Sequence, residues 1–441
     1  MNAITTLDVR EFINSRKMSY YQWVLVLLCF LIVAVDGMDV AIMGFVAPSI
    51  LSEWSISRSA FGIVMGAAPI GLTVGALLAG SSSDFFGRRT VLLASVLVFG
   101  IFTVLTAYTS NPTEMALLRF LTGLGLGAAM PNTTTLLSEY VPERSRASLV
   151  AIVFTGFNLG AALIGFVAAG LLPNYGWRSV LVFGGALPIV MVPVLYFYLP
   201  ESARFMVVRG KPVDRIRAVL SKVCRINLDQ FKTFVSSEVT VAVKQPIAVL
   251  FYSGYRLRTL TLWGTYFMGL LVVYLTTGWL PIMMKDAGMS VDRAVNVSAM
   301  LQLGGTFGAL LVGWLMDLVN PNRVIASAYF LAATSMIVMG LSGMNSASFV
   351  IFAVAVGFCL GGAQTGMNCL VPSCYPTQAR ATGISWMQGI GRFGSILGAS
   401  VGGILLSLGW GFEGIFTALA IPAILAGMII LVNKRTLSRA T

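Results

Sequence analysis

The sequence contains no histidine. This removes the side chain that most often shuttles protons near neutral pH and binds transition metals. Charge is scarce too. Only 10% of the 441 residues are Asp, Glu, Lys or Arg, against about 25% in a soluble domain. The five cysteines (Cys29, Cys224, Cys359, Cys369 and Cys374) have neither metal-cage nor redox-pair spacing. No metal and no cofactor are expected, and no stretch is polar enough for a soluble catalytic domain. The first residues, Met1 to Tyr20, lack the short apolar segment and small-residue cleavage site of a secretory signal.

Apolar sequence is what the chain has in abundance. Hydrophobic residues make up 57%, and the mean hydropathy is +0.86. The 46 glycines suit close helix packing in lipid. These features define an all-α membrane protein. About twelve spans can be drawn, near 20–47, 59–80, 90–109, 113–138, 148–171, 178–199, 259–281, 293–316, 324–343, 347–373, 381–408 and 412–433. Pro48 is expected to close the first span. The net charge of +12 follows topology, not a nucleic-acid site. On this map 23 of the 29 Lys and Arg share the side of both termini, four lie opposite (Arg58, Arg178, Lys285 and Arg293), and Arg119 and Arg392 lie within spans. The positive-inside rule then places both termini in the cytoplasm. The expected organisation is a cytoplasmic N-terminus (1–19), a six-helix bundle (20–199), a basic cytoplasmic linker (200–258), a second six-helix bundle (259–433) and a cytoplasmic C-terminus (434–441). The linker carries no expected chemistry and is read as lying along the membrane surface or partly disordered.

Asp36-Gly37-Met38-Asp39 lies within the first span. A carboxylate deep in a bilayer costs roughly 2.5–3.5 kcal/mol on insertion scales. Asp36 and Asp39 are three residues apart and share one helical face, which must point into protein or water. Such acids mark a substrate or proton path, or a structural ion pair. Arg119 opens a Gly123, Gly125, Gly127 series and cannot lose its charge. Asp36 and Asp39 are the acids at comparable depth. Glu139 lies near the inner end of the same span.

The second half repeats the first. Gly80 and Asp84 match Gly313 and Asp317 at an offset of 233, and Gly123, Gly127, Pro142 and Arg146 match Gly357, Gly361, Pro376 and Arg380 at 234. Two pseudo-symmetric halves with a ligand site between them near the midplane are implied. In this register Asn158 corresponds to Arg392. Gly389, Gly391, Gly394 and Gly398 leave space around Arg392, whose planar guanidinium suits a carboxylate ligand. The alternative is a pair with Asp36 or Asp39.

The turn Gly80, Asp84, Gly87, Arg88, Arg89, with its partner Gly313, Asp317, Arg323, resembles the signature of the major facilitator superfamily. Arg119 with Gly123, Gly125 and Gly127 looks like its span-4 motif, where the arginine is associated with proton coupling. Pro200-Glu201-Ser202-Ala203-Arg204 is similar to a turn of its sugar-porter and organic-anion branches. The Asp36-Gly37-Met38-Asp39 motif, Met130-Pro131-Asn132, Leu136 to Tyr140 and Gly389 to Gly394 resemble the bacterial aromatic acid:proton symporter family, nearest its 4-hydroxybenzoate/protocatechuate importers. The family's functional positions fall on Asp36, Asp39, Gly80, Asp84, Gly87, Arg119, Glu139, Asp317, Arg380 and Arg392. Where such importers can carry a histidine before span 9, this chain has Asn322.

The resemblance implies the major facilitator fold in a bacterial inner membrane, a monomer, and co-import of a small aromatic carboxylate with protons, without nucleic acid or cofactor. Asp36 or Asp39 would carry the proton, with Arg119 and Glu139 in the coupling path. Arg392, or else Arg119, would hold the carboxylate. Tyr266, Phe267, Tyr274 and Trp386 are candidates to stack on the ring. Asn158, Gln302, Gln364 and Asn368 are candidates to read a ring hydroxyl. Gly80, Asp84, Gly87, Arg88, Arg89, Asp317 and Arg380 would form a latch on the inner side. Benzoate, gentisate, phenylpropionate and muconate remain alternative substrates. A proton-driven exporter is a rival reading, although Gly160 is followed by Ala161 where such exporters carry Gly-Pro. A membrane receptor or intramembrane enzyme is the rival from another class.

Overall fold

A computed structural model of the chain describes residues 6–231, 233–235, 250–252, 255–342, 347–375 and 377–433. The elements are β1 (Thr6–Asp8), α1 (Val9–Asn14), α2 (Tyr20–Trp54), α3 (Arg58–Phe86), α4 (Arg88–Thr106), α5 (Pro112–Tyr140), α6 (Glu143–Tyr198), α7 (Ala203–Val208), α8 (Val213–Cys224), β2 (Thr233–Val235), α9 (Arg256–Asp286), α10 (Val291–Leu318), α11 (Pro321–Leu341), α12 (Ala347–Leu370), α13 (Thr377–Ser407) and α14 (Phe412–Val432).

Ten of the described helices are long and apolar enough to cross a membrane. The sequence reading of twelve spans differs for two reasons. The 56-residue α6 joins two spans across a break at Gly176 (φ 73°). Helix α5 has the length but is interrupted by Arg119, Asn132 and several threonines, and is not among the ten.

Side chains fix where helices start. Ser19 and Gln22 form a capping box at α2, so each satisfies an otherwise orphan backbone N–H. Ser57 caps α3 and Asn111 caps α5 in the simpler way. The expectation that Pro48 closes the first span is corrected: α2 runs through it to Trp54. A proline removes one backbone donor, which membrane helices tolerate when neighbours re-satisfy the freed groups. The carbonyl left without its donor is that of Gly44, one turn back; separately, Lys285 Nζ donates to Pro48 O at 2.9 Å and ties the end of α2 to α9.

The repeat in sequence is a repeat in packing. Helices α3 and α5 meet where Gly123 faces the Ala68 carbonyl and Gly127 that of Leu72. Helices α10 and α12 meet where Gly357 faces the Leu301 carbonyl and Gly308 that of Phe358. A Cβ at any of these four would collide with backbone. Lipid tails are as apolar as leucine, so such close approach, not hydrophobic exclusion, drives association. Helix α2 packs on α6 in the same way (Gly37 on Phe157, Gly160 on Ala34), and α9 on α13 (Phe267 on Gly394, Leu271 on Gly398).

The two bundles touch through α2 and α9 at Gly44–Thr277, through α3 and α13 at Gly62–Ser400, and through α6 and α10 at Gly165–Ala299. Arg58 and Asp286 add an ion pair across them at the end away from the termini.

Among its described residues the linker contains α7 and α8, where no helix was drawn. Helix α8 buries Ile216, Leu220 and Val223 on one face. Strand β2 pairs in parallel with β1, Thr6 against Thr233 and Asp8 against Val235. Arg10 reaches Glu143 at 3.1 Å and donates to Ser138 O at 3.0 Å. The N-terminal segment and the linker thus form one cap over the ends of α5 and α6.

Candidate functional site

Asp36, Asp39 and Arg119 are buried in the first bundle, at 3%, 2% and 1% exposure. The structure separates the two aspartates. Arg119 Nη1 donates to Asp39 Oδ1 at 3.1 Å, Nη2 donates to Asp39 Oδ2 at 2.6 Å, and Thr103 Oγ1 donates to Oδ1 at 2.5 Å. Both Asp39 oxygens are therefore held, in the bidentate geometry that a guanidinium favours. Asp36 Oδ1 is buried without a hydrogen-bond partner.

Arg392 comes from α13 of the other bundle. It lies within electrostatic reach of Asp36, but the two form no ion pair. It also lies within electrostatic reach of the Tyr274 hydroxyl on α9. The glycines beside it, expected to leave space around the guanidinium, serve instead the close packing of α9 on α13: a Cβ at Gly391 would strike the Tyr266 ring, and one at Gly394 the Phe267 carbonyl. A half-buried arginine from one bundle is thus within electrostatic reach of an aspartate from the other whose Oδ1 is buried without a hydrogen-bond partner. Between the bundles, beside Arg119 and Tyr274, Met43, Met65, Pro69 and Thr277 help to line a narrow cleft.

The other candidates fall into groups. The Tyr266 hydroxyl donates to Asn368 Oδ1 at 3.3 Å. Gln302 Nε2 donates to Thr277 Oγ1 at 3.4 Å. Asn158 packs on Gly305 across the two bundles. Gln364 has both amide atoms buried without partners. Trp386 stacks on Trp263 at 5.7 Å, so one ring face is already occupied. Tyr329 was not singled out from the sequence. It is fully buried, with a partnerless hydroxyl.

Glu139 is elsewhere. Twenty residues along α5 from Arg119 is about 30 Å. There it pairs with Arg88 and accepts from Ser202 Oγ at 2.5 Å. The Gly80 to Arg89 turn is built onto the Pro200 to Arg204 turn. Arg89 N donates to Glu201 Oε1 at 3.1 Å, and Gly87, at φ 93°, packs against the side-chain ends of Glu201 and Phe205. Asp84 and Asp317 are exposed, and Arg209 Nε donates to the Asp84 carbonyl at 3.1 Å. The surroundings of Gly80 and the side chain of Arg380 lie outside the described residues. Asn322 Nδ2 donates to Asn433 O at 2.6 Å, tying the start of α11 to the end of α14.

This arrangement is that of a polytopic membrane protein of two helical bundles, with charged groups buried near the interface between them. The family model described as Major Facilitator Superfamily matches residues 29–348 and 262–440. The chain belongs to that superfamily and is a transporter, not an enzyme. It is 49% identical to the "Gallate transporter" of Pseudomonas putida over 435 residues, 99% of this chain and 97% of that one. It is 50% identical to the "4-hydroxybenzoate transporter PcaK" of Pseudomonas putida, over 97% and 96% of the two chains. The E. coli "3-(3-hydroxy-phenyl)propionate transporter" is 32% identical, over 93% and 94%. Among solved structures, the inward-open xylose transporter XylE from E. coli superposes with a TM-score of 0.73 at 16% identity, over 93% of this chain and 95% of that one, a likeness of fold.

Proposed function

We propose that this chain is a proton-coupled symporter that imports small hydroxylated aromatic carboxylates across the bacterial inner membrane. The observation that carries the reading is the buried Asp36 Oδ1 without a hydrogen-bond partner, in the first bundle but within electrostatic reach of Arg392 in the second. The relatives named for gallate and 4-hydroxybenzoate support the substrate class.

Arg392 would bind the carboxylate, because its planar fork of donors matches one. Asp36 would carry the proton. Its partnerless oxygen contrasts with Asp39, whose oxygens are held by Arg119 and Thr103. Asp39 and Arg119 would keep α2 and α5 in register. The carboxylate and the Asp36 charge then compete for one guanidinium. Protonating Asp36 frees Arg392 for the anion, and binding the anion favours protonated Asp36. One proton also cancels the substrate charge, which would otherwise cost roughly 2.3 kcal/mol per 100 mV of inside-negative potential. No cofactor is required, since the proton gradient drives transport.

Both termini would be cytoplasmic, by the basic excess on their side, and a single chain would suffice. The bundles would rock about the midplane, with Asp84 and Asp317 latching the inner end when it closes. Glu139, paired with Arg88, would belong to that inner network.

Uptake of labelled 4-hydroxybenzoate and gallate into proteoliposomes tests the reading. Accumulation with an inward proton gradient, lost when the gradient is collapsed and lost in Arg392→Ala, is expected. Uptake that ignores the gradient, or efflux alone, would overturn it.

A further inference from the structure

We infer that Gln364 and Tyr329 form a reader for ring hydroxyls, at the end of a line of polar side chains that begins at Arg392. The inference rests on the proposed transport of aromatic acids and names the residues that select among them.

Three polar atoms converge without partners: Gln364 Nε2, Gln364 Oε1 and the Tyr329 hydroxyl, from α12 and α11. Buried polar atoms are nearly always hydrogen-bonded, so a group of three needs a reason. The focus is Gly269 on α9. A Cβ there would stand 2.7 Å from Gln364 Nε2 and would collide with the Tyr329 hydroxyl. At the repeat offset of 233, Gly269 is the counterpart of Asp36. Where the first bundle places a carboxylate, the second places bare backbone with an amide and a phenol turned toward it.

The cluster is one tyrosine away from the carboxylate site. Tyr266 shares the face of α9 with Gly269, three residues on. It lies within electrostatic reach of both Arg392 and Tyr329, and its hydroxyl donates to Asn368. An aromatic acid held by Arg392 would present its far edge along this line. A ring hydroxyl is both donor and acceptor. So is the Gln364 amide, and so is the Tyr329 hydroxyl. Two neighbouring groups of this kind suit a ring with adjacent hydroxyls better than a single hydroxyl, and they leave an unsubstituted ring facing unpaired atoms.

The test is competition for uptake in proteoliposomes by benzoate, 4-hydroxybenzoate, 3,4-dihydroxybenzoate and 3,4,5-trihydroxybenzoate, in wild type, Gln364→Leu and Tyr329→Phe. The wild type is expected to prefer the hydroxylated acids. Each variant should lose about tenfold or more of that preference while benzoate transport holds. Tyr329→Phe removes one atom from a packed site, so it serves if Gln364→Leu fails to fold. An equal fall for all four acids, or an unchanged order of preference, would overturn the reader and leave aromatic acid transport standing. Uptake of none of the four by wild type would overturn transport itself, and the reader with it.

Discussion

Arg58 and Asp286 join the two bundles at two points: Nε donates to Oδ2 at 2.8 Å and Nη2 donates to Oδ1 at 2.7 Å. The pair links the start of α3 to the end of α9, at the end of the molecule away from the chain termini. In the proposed rocking of the bundles this end would open, and the pair would break in each cycle. Its side chains are 43% and 31% exposed, which limits its strength to about 0.2–1 kcal/mol. Arg58→Ala and Asp286→Ala should therefore shift the opening equilibrium by up to about fivefold. A cysteine placed at Ser400, which packs on Gly62, should react faster with a polar maleimide in both variants. Unchanged labelling would remove the pair from the gate.

Asp39 and Arg119 form a pair of the opposite kind, at 1% exposure each. Removing one partner of a buried pair strands the other charge, at about 3–5 kcal/mol. Arg119→Leu and Asp39→Leu should each melt far below wild type in detergent. The double variant should recover much of the difference, because no charge is stranded. Additive losses would show that the two residues act separately.

Much of this site is legible in the sequence because charge stands out in an apolar chain. Asp36, Asp39, Arg119 and Arg392 are visible for that reason, and the repeat at 233–234 places Arg392 at the interface. The choice of partner is not legible. Asp36 and Asp39 share a face, and only the rotation of α2 against α5 gives Arg119 to Asp39. Tyr329 is invisible for a different reason: a tyrosine in an apolar span reads as packing until its hydroxyl is seen to lack a partner. The inner position of Glu139 is legible from its place near the end of α5, about a helix length from Arg119; its pairing with Arg88 is not. Pro48 misled because a proline that would end a soluble helix is tolerated in a membrane one.

Gly87 joins α3 to α4 at φ 93° and ψ 152°, a region that essentially only glycine occupies. Glu201 and Phe205 fill the space beside it. Gly87→Val should cost about 1–3 kcal/mol in backbone strain and detach the Gly80 to Arg89 turn from the Pro200 to Arg204 turn. Substrate affinity, set at the midplane, should hold while the uptake rate falls. A loss of affinity with an unchanged maximal rate would contradict this separation of latch from site.

Cys224 closes α8, outside the membrane helices, and burial pushes its thiol up to about 11. The reactive thiolate is then about one part in a thousand at pH 8. Maleimide labelling of Cys224 should be slow at pH 7 and should rise about tenfold per pH unit toward pH 10. Fast labelling at pH 7 would mean that the cap formed by α8 and the N-terminal segment opens readily.

Asp36 and Asp39 should part company in transport assays. If Asp36 carries one proton for each monovalent acid, the cycle moves no net charge. Accumulation then follows the pH difference alone, about tenfold per unit, since one unit is 1.36 kcal/mol. An imposed membrane potential should leave it unchanged. Asp36→Asn keeps the size of the side chain and removes the proton site, so this variant should equilibrate substrate without accumulating it, and exchange of labelled for unlabelled acid should persist. Asp39→Asn should instead weaken the hold on Arg119 and lower expression and exchange together. The measurement is counterflow and net uptake in the same proteoliposomes, at an imposed difference of one pH unit. Gradient-driven accumulation that survives in Asp36→Asn would take the proton away from Asp36 and return it to the Asp39 and Arg119 pair.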